Sequence, residues 1–150
     1  GEHTNITLTD LRAKWDDEIP TPLSDKECNR IIADHSIVSR NARFKVLQFF
    51  ILHRAYLNSS KINKIFPLAQ ASCPRCGDVA ADMHHVIWSY PSFGPFWLAA
   101  LQQLEQVTGL SLPLAWETGT LGQFICTNHN KARTRFLDLS LLLAKRAVTR

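Results

Sequence analysis

A chain of 150 residues, 45% of them hydrophobic, is long enough to bury one sizeable core and short enough to need only one domain. It holds no run of the ~18 apolar residues that a membrane span requires, and its opening Gly1-Glu2-His3-Thr4-Asn5 lacks the charged-then-apolar layout of a signal peptide. The net charge of +4 hides a segregation: residues 1–35 carry eight carboxylates against four basic residues, whereas Ser36 to Gly77 carry Arg40, Arg43, Lys45, Arg54, Lys61, Lys64 and Arg75 without one Asp or Glu.

Residues 78–125 hold four carboxylates and no Lys or Arg, and the closing segment is basic again, with six cations against Asp138. Two basic zones that converge in the fold would suit a polyanion such as RNA or DNA; the plainer alternative is solvated helix faces. The first residue is Gly, so the chain is expected to be part of a longer polypeptide. Without a signal peptide, the four cysteines Cys28, Cys73, Cys76 and Cys126 are expected to lie in a reducing, intracellular compartment, cytoplasmic or nuclear.

In chain order, residues 9 to 19 are expected to form a short helix, with Leu8, Leu11, Trp15 and Ile19 at helical spacing, Thr9 as cap, and Pro20 and Pro22 ending it. Ser24-Asp25-Lys26-Glu27 is a capping box opening a second helix, whose Cys28, Ile31 and Ile32 face the core. Residues 41 to 57 read as a central helix buried nearly all round, with Arg40, Arg43 and Arg54 reaching out within about 60° of one another at its ends. Ser59 or Ser60 should cap a short helix bearing Lys61 and Lys64, closed by Pro67.

Cys73 to Pro91 lacks sustained periodicity and reads as a folded loop. Beyond it Phe93, Phe96, Trp97, Ala100, Leu101, Leu104 and Val107 hold the spacing of an amphipathic helix, with Gly109 as its C-terminal cap. Leu110 to Gly122 reads as a loop, and a last helix is expected from about Asn130 to Val148 through Phe136, Leu137, Leu141, Leu142 and Ala144. The fold class is therefore all-α, a small helical domain with one irregular zinc-knuckle-like loop. Its parts are a helical N-terminal region with the basic block (1–67), the loop (68–91) and C-terminal helices (92–150).

Cys73-Pro74-Arg75-Cys76-Gly77 carries the chemistry. Two thiolates with two residues between them can clasp one ion, and the glycine lets the chain double back. His84 and His85 follow closely enough for one of them to be a third ligand. A thioredoxin-like redox site would need a strand before the first cysteine and a helix opening after it, and these flanks supply neither. His53, Tyr56, Trp88 and Trp97 read as packing residues. No polymerase carboxylate motif, nuclease site or P-loop occurs, so the chain is expected to be non-catalytic and to take no small-molecule substrate.

The arrangement Cys73-x2-Cys76-x8-His85, followed by Trp88, Pro91 and Phe96-Trp97, resembles the zinc-binding region C-terminal to the reverse transcriptase in LINE-type retrotransposon polyproteins. That family has a CxRCG, a downstream HxxW-x-CP and a helix beginning near FW. Trp15, His53-Arg54-Ala55-Tyr56-Leu57, Leu121-Gly122 and Leu142-Leu143-Ala144-Lys145-Arg146 extend the resemblance over essentially the whole chain. It implies zinc on Cys73, Cys76 and His85, with Arg40, Arg43, Arg54, Lys61, Lys64 and Arg75 on RNA or DNA. It also implies an upstream reverse transcriptase as partner, with reverse transcriptase and endonuclease activities elsewhere in the parent polyprotein, and no membrane.

Tyr90 stands where the family pattern has its last cysteine. The site is then completed by water, by His84 or by Cys126, or its zinc has been lost. The alternative roles are a structural cap docking on the polymerase, or a decayed or domesticated copy without activity.

Overall fold

The computed structural model describes residues 10–20, 22–79, 81–122 and 131–150, and every regular element among them is helical. Helix α1, residues 10–16, buries Leu11 and Trp15, and Ile19 follows in the turn beyond it. The expected cap Thr9 and the apolar Leu8 lie outside the described residues. Helix α2, Asp25–Ile37, opens on the capping box read from the sequence: Ser24 Oγ accepts from the Glu27 amide at 3.2 Å, and the Glu27 carboxylate accepts from the Ser24 amide at 2.8 Å. Cys28 is fully buried, as expected.

Helix α3, Ala42–Leu52, is shorter and less enclosed than the run 41–57 suggested. Asn41 caps it by accepting from the amides of Arg43 and Phe44, and only Leu47, Gln48, Ile51 and Leu52 are buried. Val46, Phe49 and Phe50 stand 50%, 56% and 42% exposed, so an apolar sequence all round the helix does not produce burial all round it. The chain leaves the helix through Arg54, whose φ of 57° lies in the left-handed region and turns Ala55 N back onto Phe50 O at 2.7 Å.

Helix α4, Ser59–Ile65, is capped by Asn58, which accepts from the Lys61 amide at 2.9 Å, rather than by either serine. The expected loop around His85 instead contains a π-helical turn, His85–Ser89. Helix α5, Phe93–Thr108, ends on Gly109 at φ 69°, as its sequence predicts, although Phe96 and Val107 from its apolar stripe stay exposed.

Within the stretch expected to be loop, Trp116–Leu121 forms helix α6, which ends on Gly122 at φ 67°. Helix α7, Lys131–Val148, lies against α2, α3, α5, α6 and the π turn. Its buried face is Leu137, Asp138, Leu141, Leu142, Lys145 and Val148, while Phe136 remains exposed. No described helix is long and apolar enough to cross a membrane.

Tryptophans join the layers. Trp15 donates its indole N–H to Leu52 O at 2.8 Å, and Trp97 donates to Ile87 O at 2.8 Å, so α1 is pinned to α3 and α5 to the π turn. Trp88 lies against Trp97 with ring centroids 5.1 Å apart. Gly119 sits beneath them so closely that a Cβ there would meet the Trp88 ring at 2.6 Å.

Two opposite charges are buried where α7 meets its neighbours. Lys145 donates to Thr120 O at 2.8 Å, and burial pulls its pKa down to about 7. Burial, helped by Asp34, raises Asp138 to about 7 against the attraction of Lys145 and Arg30. Nearby, His35 Nδ1 lies 2.7 Å from the Gln48 side-chain nitrogen, joining α2 to α3.

Candidate metal centre

The knuckle closes on itself through its backbone. Gly77 N donates to Cys73 O at 2.8 Å and Cys73 N donates to Asp78 O at 2.7 Å. Gly77, at φ 77°, occupies the left-handed conformation that lets Cys73 and Cys76 turn toward one point. His85 arrives there from the other side. Its amide donates to Asp82 Oδ1 at 2.8 Å, which starts the π turn, and Tyr90 N donates to His85 O at 2.9 Å, which ends it.

The ligand atoms of Cys73, Cys76 and His85 all lie within 4.8 Å of one another, and Cys73 and His85 are buried while Cys76 is exposed. Sγ of Cys76 is 3.4 Å from Nε2 of His85. An ion held tetrahedrally at about 2.0–2.3 Å separates a sulfur from a nitrogen donor by about 3.6 Å, so this edge has the size of a coordination edge. On the far side of the ring, Nδ1 lies 3.7 Å from Asp78 Oδ2, so the carboxylate stands behind the imidazole while Nε2 faces the thiols. These residues fit a metal ion.

The two thiols differ. Burial pushes the Cys73 thiol up, but the backbone N–H groups of Arg75 and Cys76, together with His85 and Cys76 side chains, outweigh it and bring Cys73 down to about 7. The Asp78 N–H pulls Cys76 down, yet burial and the neighbouring Cys73 leave it raised. One thiolate therefore becomes available near neutral pH, the condition for capturing a metal.

Of the candidates for a fourth ligand, His84 points elsewhere, its ring 4.8 Å from that of Trp116, and Cys126 lies outside the described residues. Tyr90 sets its ring edge-on to His85 at 6.0 Å and packs on Phe93 at 4.9 Å, with the Arg75 guanidinium over it at 5.7 Å. It buttresses the histidine. Behind the knuckle a cleft of about 240 Å³ is lined by Tyr56, Ser59, Cys73, Arg75, Tyr90 and Val148.

The six expected nucleic-acid contacts do not form one set. Arg40, Arg43, Lys64 and Arg75 are exposed. Lys61 is half-buried and donates to Arg54 O at 2.7 Å. Arg54 turns inward: it pairs with Glu18 and lies over Trp15 and Trp116 at 5.1 and 5.7 Å, so its charge is already matched within the fold. Arg75 also donates to Arg150 O at 2.8 Å, tying the knuckle to the end of α7.

Asp78 and Asp82 are the residues whose part in the site the sequence left unassigned. Their signal is position: Asp78 directly follows the CxxCG turn, and Asp82 stands three residues before the candidate ligand His85, where a carboxylate can cap its amide. No protein-family model matches this sequence, and comparison with curated proteins and with solved structures finds no match.

Proposed function

We propose that this chain is a zinc-stapled, non-catalytic nucleic-acid-binding module of the kind that follows the reverse transcriptase in LINE-type retrotransposon polyproteins. The observation that carries the reading is the convergence of Cys73, Cys76 and His85, three residues of the family-like motif, on a point small enough to hold one ion. Two thiolates and an imidazole favour zinc over the harder divalent ions, which prefer oxygen donors. With three protein ligands the fourth position falls to water or to Cys126. A zinc ion bound there would supply structural cross-linking of the loop to the π turn.

Arg40, Arg43, Lys64 and Arg75 are exposed in a stretch without carboxylates, which suits the phosphates of template RNA or target DNA. Contacts of this kind position a strand without reading its bases. The natural partner is a reverse transcriptase to which the gripped strand is presented.

The test is elemental analysis of the purified chain, with RNA binding measured before and after a strong chelator and across a salt series. About one zinc per chain, binding lost on chelation and affinity falling steeply with salt are expected. Zinc-free protein with salt-independent binding would overturn the proposal.

A further inference from the structure

The outward side of α3 is unusual for a helix in a small domain. At about 100° per residue its exposed arc runs from Lys45 through Phe49, the C-capping His53, Val46 and Phe50 to Arg43, about 160° in all. A cation therefore stands at each edge and apolar rings lie between. Val46, Phe49 and Phe50 are 50%, 56% and 42% exposed, and the rings are arranged in pairs: Phe49 is 4.4 Å from the His53 ring and 6.2 Å from Phe50. Burial and Lys14, opposed by Asp10, hold His53 below its ordinary pKa.

Among the described residues nothing in the core explains these rings, because α3 already buries Leu47, Gln48, Ile51 and Leu52 on its other side. A ligand that fits the arc offers flat aromatic faces at its centre and negative charge along its edges. Single-stranded nucleic acid has both, since unpaired bases expose their faces while the phosphates follow alongside. A duplex hides its base faces and would meet the cations alone.

We infer that the outward arc of α3 is a stacking platform for single-stranded nucleic acid, with Phe49 and Phe50 receiving base faces and Arg43 and Lys45 the phosphates. This rests on the nucleic-acid-binding function proposed above and assigns it a strand type and a place on the fold. The site is separate from the knuckle, whose ligands come from the loop after α4 and from the π turn.

The experiment measures fluorescence anisotropy of the full 150-residue, zinc-loaded chain with a labelled single strand, and with a duplex, of about a dozen nucleotides. Tighter binding to the single strand by about tenfold or more is expected. Phe49→Ala and Phe50→Ala should each weaken it about tenfold, with the salt slope and duplex binding unchanged, while Phe49→Tyr keeps the affinity. Arg43→Ala and Lys45→Ala should instead flatten the salt slope. Since Phe49 and Phe50 are exposed, unchanged thermal melting checks that the variants fold.

Single-strand binding that persists undiminished in both alanine variants would overturn the platform and leave the wider function standing. Absence of binding to either probe at low salt would overturn both. Concentration-dependent self-association in sedimentation, abolished by Phe49→Ala without any effect on nucleic-acid binding, would show that the arc is an interface between copies of this chain.

Discussion

Oδ2 of Asp78 lies 3.7 Å from Nδ1 of His85, on the side of the ring opposite the nitrogen that faces Cys76. The carboxylate stands behind the imidazole and helps to hold Nε2 toward the thiols, without itself facing the point where a metal would sit. Asp78→Asn should preserve the fold and weaken metal affinity by about tenfold or more. Competition against a chromophoric chelator measures this, and equal affinity in variant and parent would mean that Asp78 leaves the ring unconstrained.

Arg54 is held within the fold, unlike the cations that the proposed function places on nucleic acid. Its guanidinium pairs with Glu18 and lies over two tryptophan rings, whereas Arg43 is exposed on α3. Arg54→Gln should lower stability by about 1–3 kcal/mol in urea unfolding, mainly through the lost stacking on the two tryptophans, with a smaller part from the partly exposed pairing to Glu18. Arg43→Ala should leave the unfolding midpoint unchanged and weaken nucleic-acid binding. The reverse pattern would contradict the assignment.

Gly119 is required by close approach. A methyl group there would enter the Trp88 ring at 2.6 Å and press Trp97 at 3.3 Å, and moving either ring would disturb the contact between the two. Gly119→Ala should cost about 1–3 kcal/mol by overpacking, although alanine is the better helix former. An unfolding midpoint equal to the parent's would show that the indoles shift freely.

Burial lowers Lys145 from 10.5 to about 7, so between these values the unfolded chain binds the proton that the folded chain has released. Stability should therefore rise with pH from about 7 toward 9. On the acid side the contributions conflict: Asp138, raised to about 7, makes stability fall as pH climbs from its ordinary range, while His35, held well below 6.5, makes it rise. Urea midpoints at pH 7, 8 and 9 check the alkaline limb. Lys145→Met should flatten it, and an equally steep rise in that variant would assign the effect to another group.

What could be read from the sequence depended on how local the physics was. The capping box at Ser24 and Glu27, the stripe of α5 with its terminal Gly109, and the convergence of Cys73, Cys76 and His85 all arise from near neighbours in the chain, and the structure contains each. Helix α6 was not legible because Trp116–Leu121 is too short to show a period, and Gly119 within it reads as a loop residue unless the facing tryptophans are known. Arg54 was expected to reach outward with Arg40 and Arg43. Its inward course depends on Glu18 and Trp116, which only tertiary packing brings to it. Likewise Asp138 and Lys145, two turns apart on α7, count as surface charges until the helix is packed; both are buried.

His85 begins the turn whose Ile87 carbonyl receives the Trp97 indole, so a candidate metal ligand and a core anchor share one short stretch of backbone. For an ion held there, grip on the ion and integrity of the helical bundle would be thermodynamically linked quantities. A dissociation constant for this site would include part of the free energy of assembling the interior, and damage to α5 far from either thiol would be recorded as a looser hold on metal. The knuckle can act as a reporter on the whole molecule.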